Sequence, residues 1–280
     1  MSFPTARVTA RATPDATPDS TDGTTADSTA GPDAPGTDVP VGAVRAVRAL
    51  AGVELRLMVR NRLLLFTALV MPLALGAFLG SIPGLLGPDR TPALQVVVVL
   101  ALAVYAGAAT ALTARRQDGY LQRLRSGEIA DGPILAGLLL PLVVVGTAQT
   151  LVLAVGAVAV GIPAPTSPLP ALLGVALGSV LFAVAGAVTA AVTRRPETAQ
   201  ITTLPLFVVA AVGAVVVVGP GGVPAPLVMA VPGAGVAELV RLGWASGTLT
   251  SGALAAGSTL AWTAIAALLA RRTFRWDPRS

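Results

Sequence analysis

The sequence predicts an all-α polytopic membrane protein with six transmembrane helices, and three observations predict it. Hydrophobic residues make up 54% of the chain and charged residues only 12%, about half the charge of a soluble domain, and mean hydropathy is +0.78. Charge-free stretches run over 63–88, 91–114, 132–193, 198–237 and 242–270, and a helix needs only about 20 apolar residues to cross the hydrocarbon. Arginines gather at alternate edges of these stretches, which is the pattern of a chain threading a membrane.

Residues 1–40 are rich in Ala, Thr, Pro, Asp and Gly and carry six Asp against Arg7 and Arg11. Such a segment buries too little apolar surface to offset its ordering entropy, so it reads as a disordered, solvated cytoplasmic tail. It lacks the continuous apolar run of a signal peptide. Next comes Val41 to Arg62. At about 100° per residue, Arg45, Arg48, Arg56 and Arg60 share one face, and Val44, Val47, Leu50, Leu57 and Met58 share the other. A basic amphipathic helix lying among lipid headgroups fits this pattern. Glu54 projects from the apolar face with no basic residue three or four positions away. It either reaches the headgroups or meets a partner or the next cytoplasmic loop.

The six spans are placed at about 64–85, 92–113, 134–160, 169–192, 201–218 and 251–270 within a membrane domain covering 41–272, and 273–280 form a short cytoplasmic tail. The 132–193 stretch holds two spans because Gly161-Ile-Pro-Ala-Pro-Thr-Ser-Pro-Leu-Pro170 breaks any helix in its middle. Pro72, Pro141 and Pro205 fall inside spans and should kink them. Gly76–Gly80, Gly80–Gly84 and Gly174–Gly178 have the spacing that lets helices approach closely. In one set of connecting segments and ends there are 15 arginines, and in the alternate set only Arg90 and Arg241. The positive-inside rule therefore puts both termini in the cytoplasm of a multi-pass plasma (inner) membrane protein.

Three segments outside the spans carry candidate function. The first is the interface helix with Glu54, Arg56 and Arg60. The second is the loop Arg115 to Gly127, where Asp118 is placed to cap a short helix and Gly127 to end it. Tyr120, Leu121 and Leu124 form its apolar edge, flanked by Arg123 and Arg125. That edge either docks on a partner or belongs to a loop that only anchors topology. The third is the external segment from Gly219 to about Ser251, long for a connector. Its apolar residues 227–242 are interrupted at Pro232 and Gly233 and include Glu238 and Arg241. Two short helices re-entering the membrane suit it, and they must pack against protein.

Several chemistries are excluded. The chain has no Cys, His or Lys, and all 19 basic residues are Arg. There is no thiolate nucleophile, imidazole base or ordinary zinc site, and without Lys no P-loop of the G-K-[ST] type. The pI near 11 reflects arginines at span edges rather than a nucleic-acid surface. No Asp, Glu or Arg falls inside the six spans as placed. That disfavours a secondary transporter, which needs intramembrane ionisable groups. The scattered Thr67, Gln95, Thr147, Gln149, Ser179 and Thr263 make a mostly apolar pathway, suited to hydrophobic or amphipathic cargo.

With these segments placed, the chain resembles the membrane-spanning permeases of the type-2 ABC exporter family over about residues 45–272. Glu54-Leu-Arg-Leu-Met-Val-Arg-Asn-Arg-Leu-Leu-Leu-Phe66 with Met71-Pro72-Leu73 resembles the family's interface helix and first span. Gly119-Tyr-Leu-Gln-Arg-Leu124 resembles its coupling helix, Leu204-Pro205-Leu206 with Gly213 and Pro220 its fifth span, and Pro232 to Arg241 the segment before its last span. The family often has Glu-Arg before the motif Gly and Thr after it, where this chain has Gln117, Asp118 and Tyr120. The resemblance implies a dimer of permeases, each docking its coupling helix into a separate ATP-binding subunit whose closure moves cargo outward. It carries the coupling role to Gly119, Leu121 and Leu124, with Tyr120, Arg123 and Arg125 beside them, and gives the helix around Glu54 the supporting contact. It implies no catalytic residue, metal or cofactor on this chain, with ATP held by the partner. A non-transporting scaffold or assembly factor is the alternative of another class, and a haem-export subunit is weakened by the absence of His.

Overall fold

The computed structural model describes residues 41–82, 86–87, 90–125, 130–219 and 226–274. Every regular element among them is helical: α1 (Val41–Arg60), α2 (Arg62–Ser81), α3 (Thr91–Val99), α4 (Gly107–Gln117), α5 (Tyr120–Arg125), α6 (Asp131–Ala159), α7 (Pro168–Val192), α8 (Pro196–Val218), α9 (Pro226–Met229), α10 (Ala234–Trp244) and α11 (Leu249–Thr273). A π-helical segment, Leu100–Ala106, joins α3 to α4, so Thr91–Gln117 is one continuous helix. The expected tails 1–40 and 275–280, Gly84, Gly127 and the Gly/Pro-rich 220–225 lie outside the described residues.

Five described helices are long and apolar enough to cross a membrane: Thr91–Gln117, α6, α7, α8 and α11. This is a multi-pass membrane protein. Alongside them, α2 holds a shorter apolar run, Ala68–Ser81. The Thr91–Gln117 helix is the most enclosed and α11 the least. Its first nine residues are all buried, between α2, α6, α8 and α10.

Polar side chains tie α2 to this core. Pro72 has no N–H, so the carbonyl of Ala68, four residues back, loses its helical donor. Gln149 of α6 replaces it, its Nε2 donating to Ala68 O at 2.9 Å and Leu69 O at 3.2 Å. Gln95 of α3 donates to Gly76 O at 2.8 Å. Both glutamines are buried. In an apolar surround such bonds hold helices together where the hydrophobic effect no longer does. Thr147 and Ser179 share a further hydrogen bond of 3.3 Å between α6 and α7.

Gly174 and Gly178 are the close-approach pair the spacing suggested. A Cβ at Gly174 would lie 2.9 Å from Leu239 Cβ, and one at Gly178 would lie 2.8 Å from a Val236 methyl. α10 thus lies directly against α7 and also packs on α8, α11 and α3. The break before it is at Gly233, whose φ of +90° is readily reached only without a Cβ.

The second long helix continues past the span placed at 92–113, through Arg115 and Arg116 to Gln117, because Ala, Arg and Gln are good helix formers and basic residues suit a helix C-terminus. One expectation changes. Asp118 does not cap the start of α5. It is the C-cap of α4, its N–H bonded to Ala114 O at 3.0 Å. On α1, Val47, Leu50 and Met58 turn inward and Val44 and Leu57 are about half exposed; the helix lies against α6 near Gly137.

Candidate functional site

The chain leaves the Thr91–Gln117 helix through a two-residue turn at Asp118–Gly119. Gly119 has φ +64°, a left-handed conformation that ends helices at low cost only in residues like glycine. Its N–H returns to Arg116 O at 3.2 Å, and its carbonyl accepts the N–H of Arg123 at 3.3 Å. One glycine therefore closes α4 and opens α5.

Two adjacent arginines on the last turn of α4 point about 100° apart, and each is bound to a different helix. Arg115 Nη2 donates to Glu54 Oε2 of α1 at 2.6 Å. Its guanidinium also lies 5.2 Å from the centre of the Tyr120 ring on α5, within cation–π range. Arg116 is 1% exposed. Its Nη1 donates to Ala190 O at 2.9 Å, and its Nη2 donates to Thr193 O. These are carbonyls at the C-terminal end of α7, which a guanidinium satisfies both by hydrogen bonding and by charge. Gln117 Nε2 reaches Arg194 O at 2.8 Å in the same connection. Glu54's partner is thus the loop-side arginine of the next helix, one of the two readings open in the sequence.

On α5, Leu121 is fully buried and Tyr120 and Leu124 are half-buried against the core. The apolar edge is therefore largely occupied by the protein itself. Arg123 is exposed, its Nη2 bonded to Asp118 O at 3.2 Å. The side chain of Arg125 lies outside the described residues. Arg56 and Arg60 are exposed on α1.

The third predicted segment stands apart from this corner. Pro232 precedes the Gly233 break. Glu238 and Arg241 form a bidentate pair on α10, with Nε–Oε2 and Nη2–Oε1 both at 2.7 Å, and Glu238 is completely buried. Nearby, Arg90 Nη1 caps the end of α8 through Val218 O at 3.3 Å and Gly219 O at 3.0 Å.

Arg116 was missed in the sequence because charge counting treats every arginine near a span edge alike. The available signal was the doublet itself, since two neighbouring helical side chains never face the same way. The Tyr105–Thr189 bond of 3.0 Å between the π segment and α7 had no signal, as the partners are 84 residues apart.

The family profile described as ABC-2 type transporter matches residues 45–224, which includes α1, the Arg115–Arg116 doublet and α5. The chain belongs to the ABC-2 type transporter family. Its matched region is a membrane permease domain rather than an ATPase. ABC-2 permeases generally work with an ATP-binding subunit. Comparison with curated proteins gives no match.

Proposed function

We propose that this chain is the permease subunit of an ATP-binding cassette exporter. Two permeases and two separate ATPase subunits form a pathway that moves hydrophobic or amphipathic cargo outward across the plasma membrane. Six helices span the bilayer, with α2 as the first: its 20 residues reach about 30 Å at 1.5 Å per residue. Both termini are cytoplasmic, as the arginine distribution supports, and α9–α10 re-enter from outside.

The α4–α5 corner is the single observation that carries this reading. The short helix α5 follows at the Gly119 turn from the last turn of α4, which is joined through Arg115 and Arg116 to α1 and α7. Force applied to α5 therefore reaches two other helices without passing through a flexible loop. α5 is the surface that meets the ATPase, through Arg123 and the exposed parts of Tyr120 and Leu124. ATP is bound and hydrolysed on the partner.

Co-purification of the full chain with its ATPase subunit tests this. Leu124→Asp puts a charge on the half-buried docking edge and should lower ATPase association and transport at least about tenfold. Unchanged association and transport in a folded Leu124→Asp protein would remove the coupling role from α5. Transport driven by a proton gradient without ATPase would favour the secondary-transporter reading. Absence of both flux and ATPase stimulation would favour a scaffold.

A further inference from the structure

A cavity of about 720 Å³ opens between α1, α4 and α6, within the roughly 300–1,000 Å³ range of small-molecule sites. It arises from a size mismatch. Ala111 and Ala114 of α4 face Leu138 and Leu142 of α6 across the gap, and α1 does not fill the space. These apolar walls meet a charged rim formed by Arg60, Arg62 and Arg115, with Glu54 as the one carboxylate.

Glu54 is divided between two environments. Its Oε2 is taken by Arg115, while its Oε1 is buried without a hydrogen-bond partner. That oxygen has no accessible surface, so it does not open into the cavity. The cavity thus combines apolar walls with an excess of guanidinium groups. A ligand that satisfies both has an apolar chain and a net anionic headgroup.

We propose that this cavity binds an anionic phospholipid. Its phosphate sits on Arg60 and Arg62, and an acyl chain lies along the walls at Leu138 and Leu142. A free phosphate would match the rim but leave the apolar walls without purpose. The proposal rests on the topology given above, which sets α1 among the cytoplasmic headgroups, where each arginine already attracts anionic lipid.

The test uses the full chain in detergent, with lipid retention read by native mass spectrometry after adding phosphatidylglycerol, phosphatidylethanolamine or phosphatidylcholine. Of the three only phosphatidylglycerol carries net negative charge. It should be retained about tenfold better than the other two, and the exposed-site double variant Arg60→Ala/Arg62→Ala should lose about tenfold in its retention, because charge-assisted hydrogen bonds are lost. Arg45→Ala/Arg48→Ala removes the same charge from α1 away from the cavity and should keep wild-type retention. Leu138→Trp, which fills the cavity, should lower retention without any change of charge. Equal retention of phosphatidylcholine, or an equal loss in Arg45→Ala/Arg48→Ala, would overturn the site in favour of a non-specific basic surface. Competition by millimolar inorganic phosphate as effective as that by lipid would overturn it in favour of a simple anion site. ATPase co-purification is read separately, so failure of the lipid site and failure of the permease reading remain distinguishable.

Discussion

The two ends of the Thr91–Gln117 helix use the same chemistry for different results. At one end Arg90 caps the carbonyls that finish α8. At the other, Arg116 caps those that finish α7. Each guanidinium satisfies a helix C-terminus that would otherwise leave acceptors unpaired in an apolar setting. The surroundings then diverge. A second charged pair, Glu238–Arg241, forms within one helix at i, i+3 spacing. At the Arg116 end the partners are 61 to 77 residues apart and lie on three helices, next to a glycine hinge. Arg90 ties the first end to one other helix, across 128 and 129 residues, whereas Arg115 and Arg116 tie the second end to two, α1 and α7, beside a glycine turn. The first end, with its local pair, reads as a packed plug and the second as a linkage.

Arg241→Ala should have the largest effect. It leaves the fully buried Glu238 without its bidentate partner, a loss of about 3–5 kcal/mol, read as a sharp fall in thermal stability and yield in detergent. The double variant Glu238→Leu/Arg241→Leu should recover most of that stability, since replacing a buried pair by apolar residues is often neutral. If the recovered double variant still fails to transport, the plug has a functional role and the contrast between the two ends breaks.

Arg116→Met comes next. Losing two hydrogen bonds from a charged donor costs about 3 kcal/mol in sum, and the end of α7 is released. Transport should fall more than ATPase association does, because α5 still docks but no longer pulls on α7. Association and transport falling in parallel would show that Arg116 only holds the fold.

The smallest effect on stability belongs to Glu54 and Arg115. The pair is partly exposed, with side-chain accessibilities of 15% and 27%, so its removal should cost about 1 kcal/mol or less. Its value lies in joining α1 to the corner. The charge-swapped double variant Glu54→Arg/Arg115→Glu should regain coupled ATPase activity lost by either single change. A swap no better than the singles would separate α1 from the linkage.

Much of this was legible in the sequence. Span order, the break at Pro232–Gly233, the short helix after Gly119 and the amphipathic α1 follow from local patterns of hydropathy, glycine and proline. Helix ends were less so. The extension of α4 through Arg115 and Arg116 agrees with local propensity, but the partners those side chains find on α1 and α7 are supplied by no local rule. The burial of Leu121 was likewise not legible, since periodicity finds an apolar face but not what covers it.

By itself, then, the sequence determined that the chain is helical and membrane-borne, because transfer of apolar and charged residues between water and lipid is a property of composition and spacing. Only the tertiary structure decided what each arginine does. A guanidinium at a span edge satisfies the positive-inside rule whichever way it turns. Whether it faces headgroups, a carboxylate 61 residues away or the end of another helix is set by which helices pack beside it.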